Sequence, residues 1–66
     1  MKLTWDDTEE IAKALSKKYP DIPPVVLSTG QIRRMVIFLK GFRGWWWPNE
    51  IYLDAIQRSW IMLWHQ

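Results

Sequence analysis

Three consecutive tryptophans, Trp45, Trp46 and Trp47, constrain the fold of this chain more than any other stretch. Neighbouring side chains alternate faces on a strand and turn by about 100° on a helix, so three in a row cannot all enter one small core. Gly44 and Pro48 on either side disfavour a helix or strand that runs through the triplet. We therefore expect a loop from which at least one indole faces outward, and each indole carries roughly 150–250 Å² of surface.

The length of the chain limits its core and its chemistry. Sixty-six residues make a single domain, residues 1–66, in which roughly 60% of the unfolded surface can be buried. There is no cysteine, and the single histidine, His65, is one residue from the end. Thiolate sites and histidine clusters are therefore excluded, and we expect no catalytic residues, no metal ligands and no cofactor.

The beginning of the chain and its hydropathy bear on location. No apolar segment typical of a signal peptide is present near the first residues, and no apolar run approaches the roughly 20 residues of a membrane span. We expect a cytoplasmic protein that does not contact a membrane.

The charges are unevenly distributed along the chain. Five of the seven acidic residues lie in the first third, and none occurs between Ile22 and Pro48. That middle region instead carries four cations, namely Arg33, Arg34, Lys40 and Arg43. A basic and aromatic region is compatible with nucleic acid or with a protein groove, and the charge sum of +2 does not decide between them.

Apolar spacing predicts an all-α domain with three helices, at about residues 7–19, 29–40 and 49–64. The expected N-caps are Asp6, Asp7 or Thr8, then Ser28 or Thr29, then Asn49. Gly41 is expected to stop the second helix, and a brief extended pairing is predicted near residues 25–27. The predicted core stripes are Ile11, Ala14, Leu15 and Tyr19; Ile32, Met35, Val36 and Leu39; and Leu53, Ile56, Trp60 and Leu63.

Helices two and three carry more apolar residues than three short helices can enclose. The surplus positions, which lie off the predicted stripes, are Ile37, Phe38, Ile51, Met62 and Trp64. Contiguous exposed apolar surface on a small protein usually marks an interaction site, so we expect this surplus to contact a partner or to cause self-association.

The chain also resembles the IscX family of small acidic proteins of iron–sulphur cluster assembly. The resemblance is carried by Leu3-x-Trp5-x-Asp7-x-x-Glu10-Ile11-Ala12-x-Ala14-Leu15, by Tyr19-Pro20-Asp21-x-x-Pro24, by Leu39-x-x-Phe42 and by Asn49-Glu50-x-x-Leu53-x-Ala55-Ile56-x-x-x-Trp60. It implies a compact helical fold related to the winged helix, with Trp5 and Trp60 in the core. It also implies a protein that binds iron and docks on the cysteine desulfurase through an acidic face.

The regions that are acidic in that family are basic and apolar here. The resemblance places carboxylates along helix two, after Phe42 and at the C-terminus, where this chain has arginines and indoles. The hypothesis from the sequence is an engineered protein-binding domain on an IscX-like scaffold, without an iron site. Its predicted contact residues are Arg34, Ile37, Phe38, Arg43, Trp45, Trp46, Trp47, Met62 and Trp64.

Two other functions stay open at this point. One is the natural role that the resemblance implies, an iron-binding adaptor of the cysteine desulfurase. The other is a winged-helix-like nucleic-acid-binding module, with indoles as a stacking platform. The small net charge and the acid-rich first helix disfavour nucleic acid, because binding several phosphates requires clustered cations.

Overall fold

A computed structural model describes residues 3–45 and 48–65, which form an all-α domain, as the sequence predicts. The helices are α1 (Thr8–Lys18), α2 (Thr29–Ile37) and α3 (Glu50–Trp64), and a short 3-10 helix (Pro24–Val26) lies between α1 and α2. Helix α3 packs against α1, α2 and the 3-10 helix, so it is the element around which the others are arranged. Within the described ranges, no helix combines the length and the apolar character that crossing a membrane requires.

Helix α1 begins where charge favours it, although its predicted side-chain cap does not form. Glu9 and Glu10 occupy the first turn and lysines the last, which complements the helix dipole. Asp7 is the N-cap residue, but its carboxylate accepts hydrogen bonds from the Thr4 backbone N–H (2.9 Å) and hydroxyl (3.3 Å) instead. The carboxylate therefore fixes the turn that leads into the helix.

Helix α2 begins with a complete capping box. The Ser28 hydroxyl accepts from the Gln31 N–H at 3.2 Å, and the Gln31 side chain accepts from the Ser28 N–H at 2.9 Å. The helix ends at Ile37, three residues before the predicted boundary. The reason is that the Leu39 N–H bonds to the Val36 carbonyl at 3.0 Å, a tighter turn that brings Leu39 into the core.

Gly41 follows this turn with a φ of 88°, a conformation that glycine adopts at little cost. Its carbonyl accepts from the Leu3 N–H at 3.0 Å, and the Leu3 carbonyl accepts from the Arg43 N–H at 2.7 Å. Leu3 and Phe42 thereby form an isolated parallel bridge, which ties the start of the described chain to the segment after α2.

The predicted extended pairing near residues 25–27 is wrong. Pro24 stands at the first position of the 3-10 helix, where a missing N–H is not needed. The Gln57 side-chain amide of α3 donates to the Pro24 and Leu27 carbonyls, at 2.9 Å each. These two bonds fold the segment onto α3, and the extended pairing occurs at Leu3 and Phe42 instead.

Helix α3 begins at the predicted cap, because the Asn49 side-chain carbonyl accepts from the Ile51 N–H at 3.1 Å. The buried core combines residues from all three helices with two from the start of the chain and one after α2. Its members are Leu3, Trp5, Ile11, Ala12, Leu15, Ile32, Val36, Leu39, Leu53, Ile56 and Trp60. The sequence correctly places Trp5 and Trp60 there, whereas four predicted core residues are only half-buried, namely Ala14, Tyr19, Met35 and Leu63.

Candidate partner-binding surface

The predicted contact residues differ in how far they protrude. Phe38 is 72% exposed, Trp45 80% and Met62 67%, whereas Trp64 is 39% exposed. Ile37 is half-buried and packs against the core, so only part of its side chain is available to a partner. Arg34 and Arg43 are exposed. Trp46 and Trp47 lie outside the described residues.

The outward direction of Trp45 follows from how the core holds its backbone. The buried indole N–H of Trp5 donates to the Trp45 carbonyl at 2.7 Å. The Trp5 ring also packs edge-on against Phe42, with ring centroids 4.7 Å apart and planes inclined by 72°. The loop is thus fixed to the core by its carbonyl, which leaves the Trp45 side chain in solvent, as the sequence predicts for at least one indole.

Two adjoining depressions bring most of these residues together. Ile37 and Phe38 line one depression with Phe42 and Gly44. Arg43, Gly44 and Trp45 line the next, whose walls also include Trp5 and Tyr52. Gly44 belongs to both, so the end of α2 and the loop form a continuous area. We call it the α2–loop surface, and it consists of Ile37, Phe38, Arg43, Gly44 and Trp45, whereas Arg34 lines neither depression.

Met62 belongs to a different part of the molecule. It lines a groove between α1 and α3, together with Glu9, Lys13, Ser59 and Leu63. This groove shares no lining residue with the two depressions of the α2–loop surface. The described residues therefore distribute the predicted contact residues over two surfaces rather than one.

Both surfaces carry charges of both signs, because Glu9 and Lys13 line the α1–α3 groove and Asp6 and Arg43 line the depression beside Trp45. Among residues 3–45 and 48–65, the ion pairs are Glu10 with Lys13 (3.6 Å) and Asp54 with Arg58 (3.1 Å), both exposed. Arg34 and Arg43 are in neither pair. The acidic side chains gather at the start of α1, where Asp6, Asp7, Thr8, Glu9 and Glu10 line a shallow depression.

The acidic depression does not have the arrangement of a metal site. Nowhere in the part of the chain that the structure describes do three or more His, Cys, Asp or Glu side chains come together so as to hold a metal ion. The Asp7 carboxylate already binds Thr4, and Glu10 pairs with Lys13. The residues present therefore do not fit the iron that the family resemblance implies.

The sequence analysis missed one exposed apolar pair, Val25 and Val26, which are 67% and 69% exposed. A strand would have turned one of them inward, whereas the 3-10 helix leaves both in solvent. The adjacent prolines at positions 23 and 24 could have indicated that no strand forms here, because proline lacks the N–H that strand pairing needs. Ile51, a predicted surplus residue, is 70% exposed at the start of α3.

The fold and the surface define a small helical domain whose main feature is exposed apolar area rather than an enclosed pocket. The family model described as iron–sulphur cluster assembly matches residues 3–65. The chain belongs to this IscX-like family, which confirms the resemblance seen in its core and cap residues. The comparison with curated proteins gives no match.

Family membership bears on which of the functions predicted from the sequence is best supported. It supports the natural role in iron–sulphur cluster assembly, which the sequence analysis held as the alternative, better than it supports the engineered binder. An engineered origin has no support in the comparisons. Protein partners follow from the family in general terms, whereas the individual contact residues stay predictions.

Proposed function

We propose that this chain is a non-catalytic adaptor of iron–sulphur cluster assembly that acts by binding a protein component of the machinery. The observation that carries this proposal is the family match over residues 3–65. The family also supports a cytoplasmic location and a role without catalysis, in keeping with the sequence-based expectation. The component that the resemblance implies is the cysteine desulfurase.

The contact is made by the α2–loop surface. Phe38 and Trp45 are the large side chains that protrude from it, and aromatic residues dominate the energetics of protein interfaces. The exposed Arg43 lines the same surface beside Trp45, and arginine is also enriched at such contacts. The Trp5 hydrogen bond fixes the backbone of Trp45 before binding, which reduces the backbone entropy lost on association.

This mode of contact differs from the one that the resemblance implies. A family docking face made of carboxylates attracts a basic partner, whereas arginines at the same region attract an acidic one. The α2–loop surface therefore docks mainly through burial of the exposed Phe38 and Trp45 side chains. An engineered binder would use the same surface, but the retained core and caps are accounted for by family membership alone.

The test is a binding measurement between the purified chain and a purified cysteine desulfurase. Phe38→Ala and Trp45→Ala should each weaken binding by about 2 kcal/mol or more, because each removes a protruding aromatic anchor. Lys17→Ala is the matched control, since Lys17 is an exposed residue of α1 outside the surface, and it should have almost no effect.

Two results would contradict the proposal. Small and equal losses for all three variants would show that the surface has no anchor residues. Tighter binding to an oligonucleotide than to the desulfurase, weakening steeply as salt is raised, would indicate a nucleic-acid module instead.

A further inference from the structure

The two buried tryptophans differ in what their indole N–H groups do. Trp60 is fully buried in α3, and within the described residues its Nε1 atom has no hydrogen-bond partner. Trp5 is also buried, but its Nε1 donates at 2.7 Å to the backbone carbonyl of Trp45, which lies 40 residues away in the sequence. The Trp60 indole therefore contributes packing, whereas the Trp5 indole also connects the core to the α2–loop surface.

The loop backbone approaches the Trp5 ring closely just before this bond. A Cβ atom built on Gly44 would overlap both Cδ1 and Nε1 of Trp5, so the Gly44 backbone lies directly against that edge of the ring. One residue earlier, the Arg43 N–H donates to the Leu3 carbonyl at 2.7 Å. The start of the described chain thus holds three successive loop residues, and the carbonyl of Trp45 is the third.

We propose that Trp5 is a positioning residue for partner binding, which acts by fixing the backbone from which the Trp45 indole projects. Trp5 is only 6% exposed, so a partner can bury little of it, whereas Trp45 is 80% exposed. A backbone that is fixed before binding loses less entropy on association. The inference rests on the proposed function, because it takes the α2–loop surface as the contact.

Trp5→Phe tests this role, because phenylalanine keeps an aromatic ring beside Phe42 but has no N–H donor. Binding to the purified cysteine desulfurase should weaken about fivefold to thirtyfold, the range that corresponds to freeing the backbone of one residue. Trp60→Phe is the matched control. It makes the same exchange in the core but removes an N–H that bonds to no described group, so the dissociation constant should be almost unchanged.

A second replacement isolates the donor from the packing of the ring. Chemical synthesis of the 66-residue chain can place β-(3-benzothienyl)alanine at position 5, where sulfur replaces the N–H at nearly the same volume. This protein should lose affinity as Trp5→Phe does. All variants are compared at a temperature at which circular dichroism shows them folded, so that unfolding does not enter the dissociation constant.

Two further measurements separate positioning from a structural role and from direct contact. The heteronuclear NOE of the Trp45 backbone amide in the free protein reports picosecond to nanosecond motion, and it should fall in Trp5→Phe but not in Trp60→Phe. Trp45→Ala keeps its carbonyl but has no indole to direct. Adding Trp5→Phe to Trp45→Ala should therefore weaken binding no further.

Three results would overturn the inference. Equal losses of affinity for Trp5→Phe and Trp60→Phe would reduce Trp5 to a packing role. An unchanged Trp45 NOE would show that the bond does not fix the loop, and a further loss in the double variant would show that Trp5 contacts the partner itself.

The same binding measurement distinguishes failure of this inference from failure of the proposed function. If the wild type binds the desulfurase through Phe38 and Trp45 but removal of the Trp5 donor has no effect, the inference is wrong and the proposed function stands. If the wild type does not bind the desulfurase at all, both are wrong.

Discussion

Gly44 is the residue on which the geometry of the α2–loop surface depends most directly. A Cβ atom built there would lie 2.6 Å from both Cδ1 and Nε1 of Trp5 and would also overlap the Phe42 ring. Both neighbours are rings held in or against the core, so they cannot move aside easily. We expect Gly44→Ala to lower the free energy of unfolding by about 1–3 kcal/mol, measured by urea denaturation.

Gly30 supplies the matched control for this substitution. Its Cβ would meet only the Ser28 hydroxyl oxygen, at the ordinary contact distance of 3.9 Å, and the residue lies within α2. Gly30→Ala should therefore stabilise the protein by up to about 1 kcal/mol through helix propensity. Equal effects of the two substitutions would show that the close approach at Gly44 is not a constraint.

At the scale of single residues, the sequence separates core from surface tryptophans but not the less regular positions. Trp5 and Trp60 match family core positions, and the triplet forces an indole outward, which Trp45 confirms. Ile37 and Phe38 look alike in the sequence because both lie off the apolar stripe. The helix ends between them, so helical periodicity no longer applies at Phe38, and only tertiary packing decides that Ile37 is half-buried.

Helix α2 has nine residues, so its capping box contributes a large share of its local stability. Ser28→Ala removes the acceptor for the Gln31 N–H and should lower the free energy of unfolding by about 1 kcal/mol. Thermal and urea denaturation both measure this loss. Ser16→Ala, in the body of α1, should be neutral or slightly stabilising, and a loss as large as that of Ser28→Ala would count against a capping effect.

The 3-10 helix is attached to α3 by the side-chain amide of Gln57. Gln57→Glu keeps the shape of the side chain but replaces the donor by a carboxylate facing the Pro24 and Leu27 carbonyls. We expect the free energy of unfolding to fall by about 1–3 kcal/mol at neutral pH, because two part-buried acceptors lose their partner. An unchanged unfolding midpoint would show that the segment folds onto α3 without these bonds.

This attachment explains why the sequence predicts the three helices and the caps of α2 and α3 but not the segment between α1 and α2. Cap residues and apolar spacing are local signals, and Ser28 and Asn49 are read correctly from them. Gln57 is 33 and 30 residues away from its two partners, so no local pattern reveals it. The same holds for the bridge between Leu3 and Phe42, which depends on the turn around Gly41.

Across the whole domain, two separate apolar surfaces lie on one small frame. The sequence predicts a single patch because it groups apolar residues that lie off the helix stripes. The structure assigns Phe38 and Met62 to different depressions, since α2 and α3 present them beside different neighbours. The apolar surplus is therefore divided between two separate surfaces of the domain.

The family's link to iron gives a last test of the entire domain. A native-state iron site with a Kd of about 10 μM would add about 2.7 kcal/mol of stability at about 1 mM ferrous iron. In a domain of this size each 1 kcal/mol raises Tm by roughly 4–8 °C. Because no suitable ligand group occurs in residues 3–45 and 48–65, we expect anaerobic ferrous iron to leave Tm unchanged. A rise of several degrees that a chelator reverses would show that the chain carries iron despite its altered surface, and the adaptor role would then include the metal.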